Sequence, residues 1–138
     1  MNNQILETIK KYEQPGDFNH ATVTDEMISA AEQILKVKLP EQYTTFLKLY
    51  GHGGIGGMET IGVGLTGRLI FVDMTLDYRN EDLPTNLVVI ENVDEWLCCL
   101  DCNTGEIVSW DPSGFTKIDY NCFDEYLIVQ LNNAIENM

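Results

Sequence analysis

Positive charge is scarce in this chain: 138 residues carry eight Lys and Arg against 22 Asp and Glu, a net charge of −14. That deficit argues against direct nucleic-acid binding, which needs cationic contacts to phosphate. Histidine is scarcer still. Only His20 and His52 are present, a poor supply of general bases. No Ser or Cys stands in a recognisable nucleophile turn. No apolar run approaches the ~18 residues of a membrane span. The start, Met1-Asn2-Asn3-Gln4-Ile5-Leu6-Glu7, lacks the basic, apolar and small-residue segments of a secretory signal, so the expected compartment is the cytoplasm. No internal repeat and no low-complexity tract is visible. Together these absences point away from an enzyme, a nucleic-acid binder and a membrane protein.

The hydrophobic content, 44%, is ordinary for a globular chain and sufficient for a core. The length predicts one domain over residues 1–138. The acidity is unevenly spread. Residues 1–50 hold seven acids and five bases, whereas residues 51–138 hold fifteen acids and only Arg68, Arg79 and Lys117. Such a field keeps a small protein soluble. It also favours, and speeds encounter with, a basic partner.

Helical punctuation dominates the first fifty residues. Ile5, Leu6, Ile9 and Tyr12 recur at helical spacing between Asn2 and Glu13, and Pro15-Gly16 ends the run. Thr24 is a good N-cap, with Asp25 and Glu26 in the first turn where the helix dipole favours acids. Met27, Ile28, Ala31, Ile34 and Leu35 then make one apolar face. Leu39-Pro40 interrupts, and Pro40 suits the first position of a new helix whose stripe is Tyr43, Phe46, Leu47 and Tyr50. The glycines from Gly51 onward are its stop.

The period then changes. Met58–Val63 and Arg68–Val72 read as short strands. Asp73–Asp82 fits either a short helix or an irregular loop. Leu87–Ile90 is a compact buried strand. Glu95–Asp101 and Glu106–Trp110 form a hairpin about Asn103-Thr104-Gly105. Asp111-Pro112-Ser113-Gly114 is a turn. Asn121 caps a last helix bearing Phe123, Tyr126, Leu127, Val129, Leu131 and Ile135. The order predicts an α+β fold, with N-terminal helices packed on a central antiparallel sheet and a C-terminal helix.

Two blocks carry a family likeness. The first is Ile28-x-x-Ala31-Glu32-x-x-Leu35-x-x-x-Leu39-Pro40-x-x-Tyr43-x-x-Phe46-Leu47, closed by Gly53-Gly54. The second is Leu87 to Trp96, followed by Cys99-Leu100-Asp101 and Val108-Ser109-Trp110-Asp111. Together they resemble the SUKH superfamily, of the Smi/Knr cell-wall-assembly-regulator type, from about Thr24 to Ile135. The resemblance implies an α+β fold without catalytic residues, in which Leu39, Pro40, Tyr43, Phe46, Gly53 and Gly54 are structural. It implies an immunity protein that binds a toxin domain, often a nuclease. The eukaryotic relatives suggest an alternative, a regulatory adaptor without a toxin partner.

The remaining constellations have ordinary explanations. Gly51–Gly56 and Gly62–Gly67 both match G-x-G-x-x-G, but a dinucleotide site needs a strand before and a helix after. The first match follows a helix and the second is expected to precede a strand. Cys98-Cys99-Leu100-Asp101-Cys102 contains Cys-x-x-Cys on a strand, which predicts buried reduced thiols with Cys98 and Cys102 opposite Cys99. His52 reads as a hydrogen-bonded loop histidine. Trp96 and Trp110 flank the hairpin, which predicts an aromatic pair across it. Asp73, Asp77 and Glu81 would share one helical ridge. The expected toxin-contacting set is Asp73, Asp77, Tyr78, Glu81, Asp82, Glu91, Asp94 and Glu95. No cofactor, metal or catalytic residue is expected.

Overall fold

The computed structural model describes residues 1–138. Its elements run α1 (Asn3–Tyr12), α2 (Asp25–Leu35), α3 (Glu41–Tyr50), α4 (Ile70–Arg79), β1 (Leu87–Asn92), β2 (Leu97–Asp101), β3 (Ile107–Trp110), β4 (Thr116–Tyr120) and α5 (Phe123–Glu136). The strands form one antiparallel sheet in the order β1-β2-β3-β4. This is the expected α+β arrangement, four helices before the sheet and one after it.

Local chemistry sets the first helices. Asn2 caps α1 by accepting from the Ile5 amide at 2.9 Å, and Thr24 caps α2 by accepting from the Met27 amide at 3.2 Å. Each cap satisfies a donor that the helix leaves unpaired. α2 ends at Lys36 in the left-handed region (φ 58°). The Glu32 carboxylate then reaches forward to accept from the Leu39 amide at 2.7 Å, which fixes the entry to Pro40. Pro40 is the cap of α3 rather than its first residue. Ile34, expected on the apolar face of α2, is exposed, and Ala31 and Leu35 carry the burial instead.

Tyr43, Phe46, Leu47 and Tyr50 are buried on α3. Tyr43 and Phe46 both meet Phe123 of α5 edge-on, at 5.4 and 5.5 Å, and Tyr43 also meets Phe71 of α4 at 5.5 Å. The aromatic stripe thus joins three helices. The Tyr43 hydroxyl donates to the Ile61 carbonyl at 2.7 Å. A buried phenol needs such a partner.

Behind α3, three backbone stretches cross. Gly53 exchanges both backbone hydrogen bonds with Thr60, at 3.1 and 2.8 Å, and Gly54 donates to Asp17 at 3.0 Å. Val63 donates to Gly51 at 2.9 Å. Gly53 sits at φ +131°, and a Cβ there would strike the Asp17 carbonyl; one at Gly62 would strike the Gly51 carbonyl. Only glycine fits such an approach.

The region after this corner departs from expectation. Met58–Val63 is not a strand but makes isolated bridges. Its backbone groups go to Gly53, Gly51 and Ile90 instead of a ladder. Arg68–Val72 is not a strand either, because α4 begins at Ile70. Phe71, Val72 and Thr75 are buried at helical spacing, so tertiary packing overrides the strand preference of an Ile-Phe-Val run. The second glycine motif therefore precedes a helix, yet no strand leads into it. The N-cap position of α5 is Cys122, one residue beyond the expected Asn121, and it makes no side-chain cap bond. β4, absent from the sequence reading, has four exposed residues and one half-buried, Tyr120.

The corner yields a stability test. Gly62→Ala is expected to cost about 3 kcal/mol in urea unfolding through overpacking. Gly57→Ala, with open space around its Cβ position, is expected to stay within about 0.5 kcal/mol of the parent.

Candidate functional site: an acidic groove on the sheet

The largest groove, about 760 Å³, lies over one face of the sheet. β1 supplies Glu91 at its end, and the β1–β2 connection supplies Val93, Glu95 and Trp96. Cys98, Ser109 and Lys117 come from β2, β3 and β4. Asp111 and Phe115 flank the β3–β4 turn, Asp119 and Tyr120 end β4, and Gln130 reaches in from α5.

The register explains the floor. Cys98 lies opposite Ser109, and Ser109 opposite Lys117, so the three share a face. The Ser109 hydroxyl donates to Asp119, and Lys117 Nζ lies 3.8 Å from the same carboxylate. Lys117 is the groove's single base against the carboxylates of Glu91, Glu95, Asp111 and Asp119. Asp111 is held below its ordinary pKa by the Ser113 hydroxyl and amide, so it stays ionised.

The tight connection from Asn92 to Trp96 presents the upper rim. Asn92 Oδ1 accepts from the Asp94 amide at 2.9 Å, Asp94 is left-handed (φ +66°), and Val93 donates to the Trp96 carbonyl at 3.0 Å. Trp96 is 41% exposed and Phe115 53% exposed, two large apolar side chains beside the acids. Trp110, opposite Leu97 in the ladder, is only 2% exposed and meets Tyr78 edge-on at 6.4 Å. The expected Trp96–Trp110 pair therefore does not form, because Trp96 lies one residue outside β2.

Glu91 is anchored from below. The Tyr126 hydroxyl donates to it at 2.7 Å, leaving that oxygen to accept from Thr60 at 3.2 Å. Burial raises the Glu91 carboxyl, the Tyr126 hydrogen bond opposes this, and the charge of Glu59 adds to it. Burial likewise pushes the Cys98 thiol well up and those of Cys99 and Cys102 to about 12. These are protonated thiols, poor as nucleophiles and as metal ligands.

The expected contact set divides between two places. Glu91 and Glu95 line the sheet groove. Asp73, Asp77, Tyr78 and Glu81 line a smaller groove of about 360 Å³ along α4, which Asn92 also lines. There Arg68 pairs with Asp73 at 2.9 Å. Tyr78 is half-buried by its contact with Trp110. Asp82, left-handed at φ +71°, and Asp94 are exposed at turns and line neither groove. Sequence reasoning missed Asp111, Phe115, Lys117 and Asp119 as site residues. The signal was the turn at Asp111–Gly114, which requires a returning strand, followed by Ile118 and Tyr120 in alternation.

The histidines stand elsewhere. His20 pairs with Glu13 at 2.5 Å. His52 accepts from the Gly62 amide at 3.0 Å and faces Glu59 at 3.3 Å, the hydrogen-bonded loop role expected. No group of three or more His, Cys, Asp or Glu converges as a metal set. No helix is long and apolar enough to cross a membrane.

The family model described as SUKH_5: SMI1-KNR4 cell-wall matches residues 2–131. The chain belongs to that family. The SMI1-KNR4 match begins at the cap of α1 and runs into α5, so both blocks seen in the sequence fall within it. A crystal structure of a protein from Pseudomonas syringae pv. tomato is similar to this family member with a TM-score of 0.69. The two share 14% identity over 86% of this chain and 89% of that one, a likeness of fold alone.

A carboxyl that binds its proton more tightly folded than unfolded lowers stability as pH rises from its ordinary value, 4.5, through its raised one. Glu91→Gln is therefore expected to raise the unfolding midpoint at neutral pH. The gain should vanish near pH 4.5, and denaturation at both conditions checks it. Alkylation followed by mass analysis should leave Cys98, Cys99 and Cys102 unmodified in the native protein and modified after unfolding.

Proposed function

We propose that this SMI1-KNR4 family protein is an immunity protein, which binds a cationic toxin domain and blocks it. The observation that carries the proposal is the sheet groove, where four carboxylates and one tethered ammonium are rimmed by exposed Trp96 and Phe115. Two carboxylates on strands, Glu91 and Asp119, and two at turns, Glu95 and Asp111, imitate the phosphates that a nuclease groove attracts. The uneven charge of the chain steers such a partner towards them. Aromatic side chains on the rim supply the desolvated contacts that hold a complex together. The role is recognition without catalysis, exercised in the cytoplasm where the toxin would act.

The cell-wall wording of the family description supports a second reading, a regulatory adaptor for a cellular protein. The two separate on partner identity. Co-expression with the toxin domain encoded beside this gene should rescue growth and yield a co-purifying complex. Glu95→Lys with Asp111→Lys should slow association on the order of tenfold and flatten its salt dependence. Trp96→Ala should cost about 2 kcal/mol, mostly through faster dissociation. Absence of both binding and rescue would remove the immunity reading in favour of the adaptor.

A further inference from the structure

The sheet has two edges, and only one is closed. At β1, the Val89 amide donates to Thr75 of α4 at 3.0 Å, and the Ile90 carbonyl accepts from Ile61 at 2.7 Å. β4 is the other terminal strand. Its partner is β3, and nothing equivalent to Thr75 or Ile61 meets its outer side. Thr116 to Asp119 are exposed, and Ile118 at the centre is 58% exposed. Unpaired amides and carbonyls beside an exposed apolar side chain are a template for another strand.

The strand's own sequence says which strand fits. Thr116-Lys117-Ile118-Asp119-Tyr120 places opposite charges symmetrically about its middle residue. In an antiparallel pairing of two such strands about Ile118, Lys117 of each copy faces Asp119 of the other. Ile118 faces its own counterpart, and Thr116 faces Tyr120. Lys117 and Asp119 already point to the same side of the sheet, since Lys117 Nζ lies 3.8 Å from Asp119 and Asp119 takes the Ser109 hydroxyl. A two-fold axis beside Ile118 would thus replace the two intramolecular ion pairs, one in each copy, with two between copies. Opposite charges directly across antiparallel strands stabilise the pair, and like charges oppose it.

We propose that a second copy of this chain docks on β4, joining two four-stranded sheets into one continuous antiparallel sheet with isologous symmetry. Both acidic grooves would then open on the same side of the joined sheet. The association does not depend on the immunity reading. It is opposed by the net charge of −14, so it belongs to moderate ionic strength, where that repulsion is screened. β4 also carries a bulge at Asp119, between the Val108↔Ile118 and Ile107↔Tyr120 pairs. Bulges and lysines can equally serve to keep an edge single, and a charge exchange separates the two roles.

Sedimentation velocity over a micromolar-to-millimolar series should show the mass rising towards twice that of one chain. Lys117→Glu and Asp119→Lys, each placing like charges across both symmetric pairs, should each weaken association on the order of tenfold. The exchanged double variant, Lys117→Glu with Asp119→Lys, should restore it, with circular dichroism confirming that all forms are folded. A wild-type chain that stays monomeric throughout overturns the proposal and assigns Lys117 and the bulge as edge guards. Equal association of all variants, or no recovery in the exchanged form, overturns it as well by placing the contact elsewhere.

Discussion

The close crossing of backbone behind α3 is the constraint on which the rest of the structure depends. Gly51, Gly53 and Gly62 let three stretches meet at distances that a single added methyl would prevent. The crossing also determines where Ile61 lies. Its carbonyl receives the Tyr43 hydroxyl and its amide reaches the Ile90 carbonyl. One residue of an irregular loop therefore ties the aromatic stripe of α3 to the first strand of the sheet. Buried polar groups in such a position cannot be left without partners. The groups available to them are few, so these bonds hold the loop in place although it lacks regular structure.

From this tie the groove follows. Thr60, next in the chain, hydrogen-bonds Tyr126, and Tyr126 holds Glu91 at the groove's inner end. The acidic surface is therefore not an ornament on an independent scaffold. Its deepest carboxylate is the end of a hydrogen-bonded path that starts at the glycine corner. The other acids, exposed Glu95 and half-buried Asp111, sit at turns instead. A rigid inner group with adaptable outer ones suits recognition, because positioning is supplied by the fold and steering by the rim.

Legibility in the sequence tracked how local each cause was. Asn2 and Thr24 act within three residues; the Thr24 cap was readable, whereas Asn2 was marked only as the start of the first periodic run. Leu39-Pro40 was readable for the same reason. β1, β2 and β3 are nearly continuous apolar runs, because the sheet is buried on both faces there. α4 was misread because Ile70, Phe71 and Val72 favour a strand until packing against β1 is known. β4 left almost no hydrophobic pattern, since an exposed edge strand has little buried face to record. The acids were visible as a population but not as an arrangement. Asp73 and Glu91 lie eighteen positions apart in sequence, and only the fold assigns them to different grooves.

The contrast between the two tryptophans reaches beyond packing. Trp110 is sealed against Tyr78, whereas Trp96 stands half in solvent at the groove's rim. Their indoles differ in surroundings enough to emit at different wavelengths. The molecule thus carries two built-in optical reporters, one sensing the integrity of the core and the other sensing whatever settles over the carboxylates.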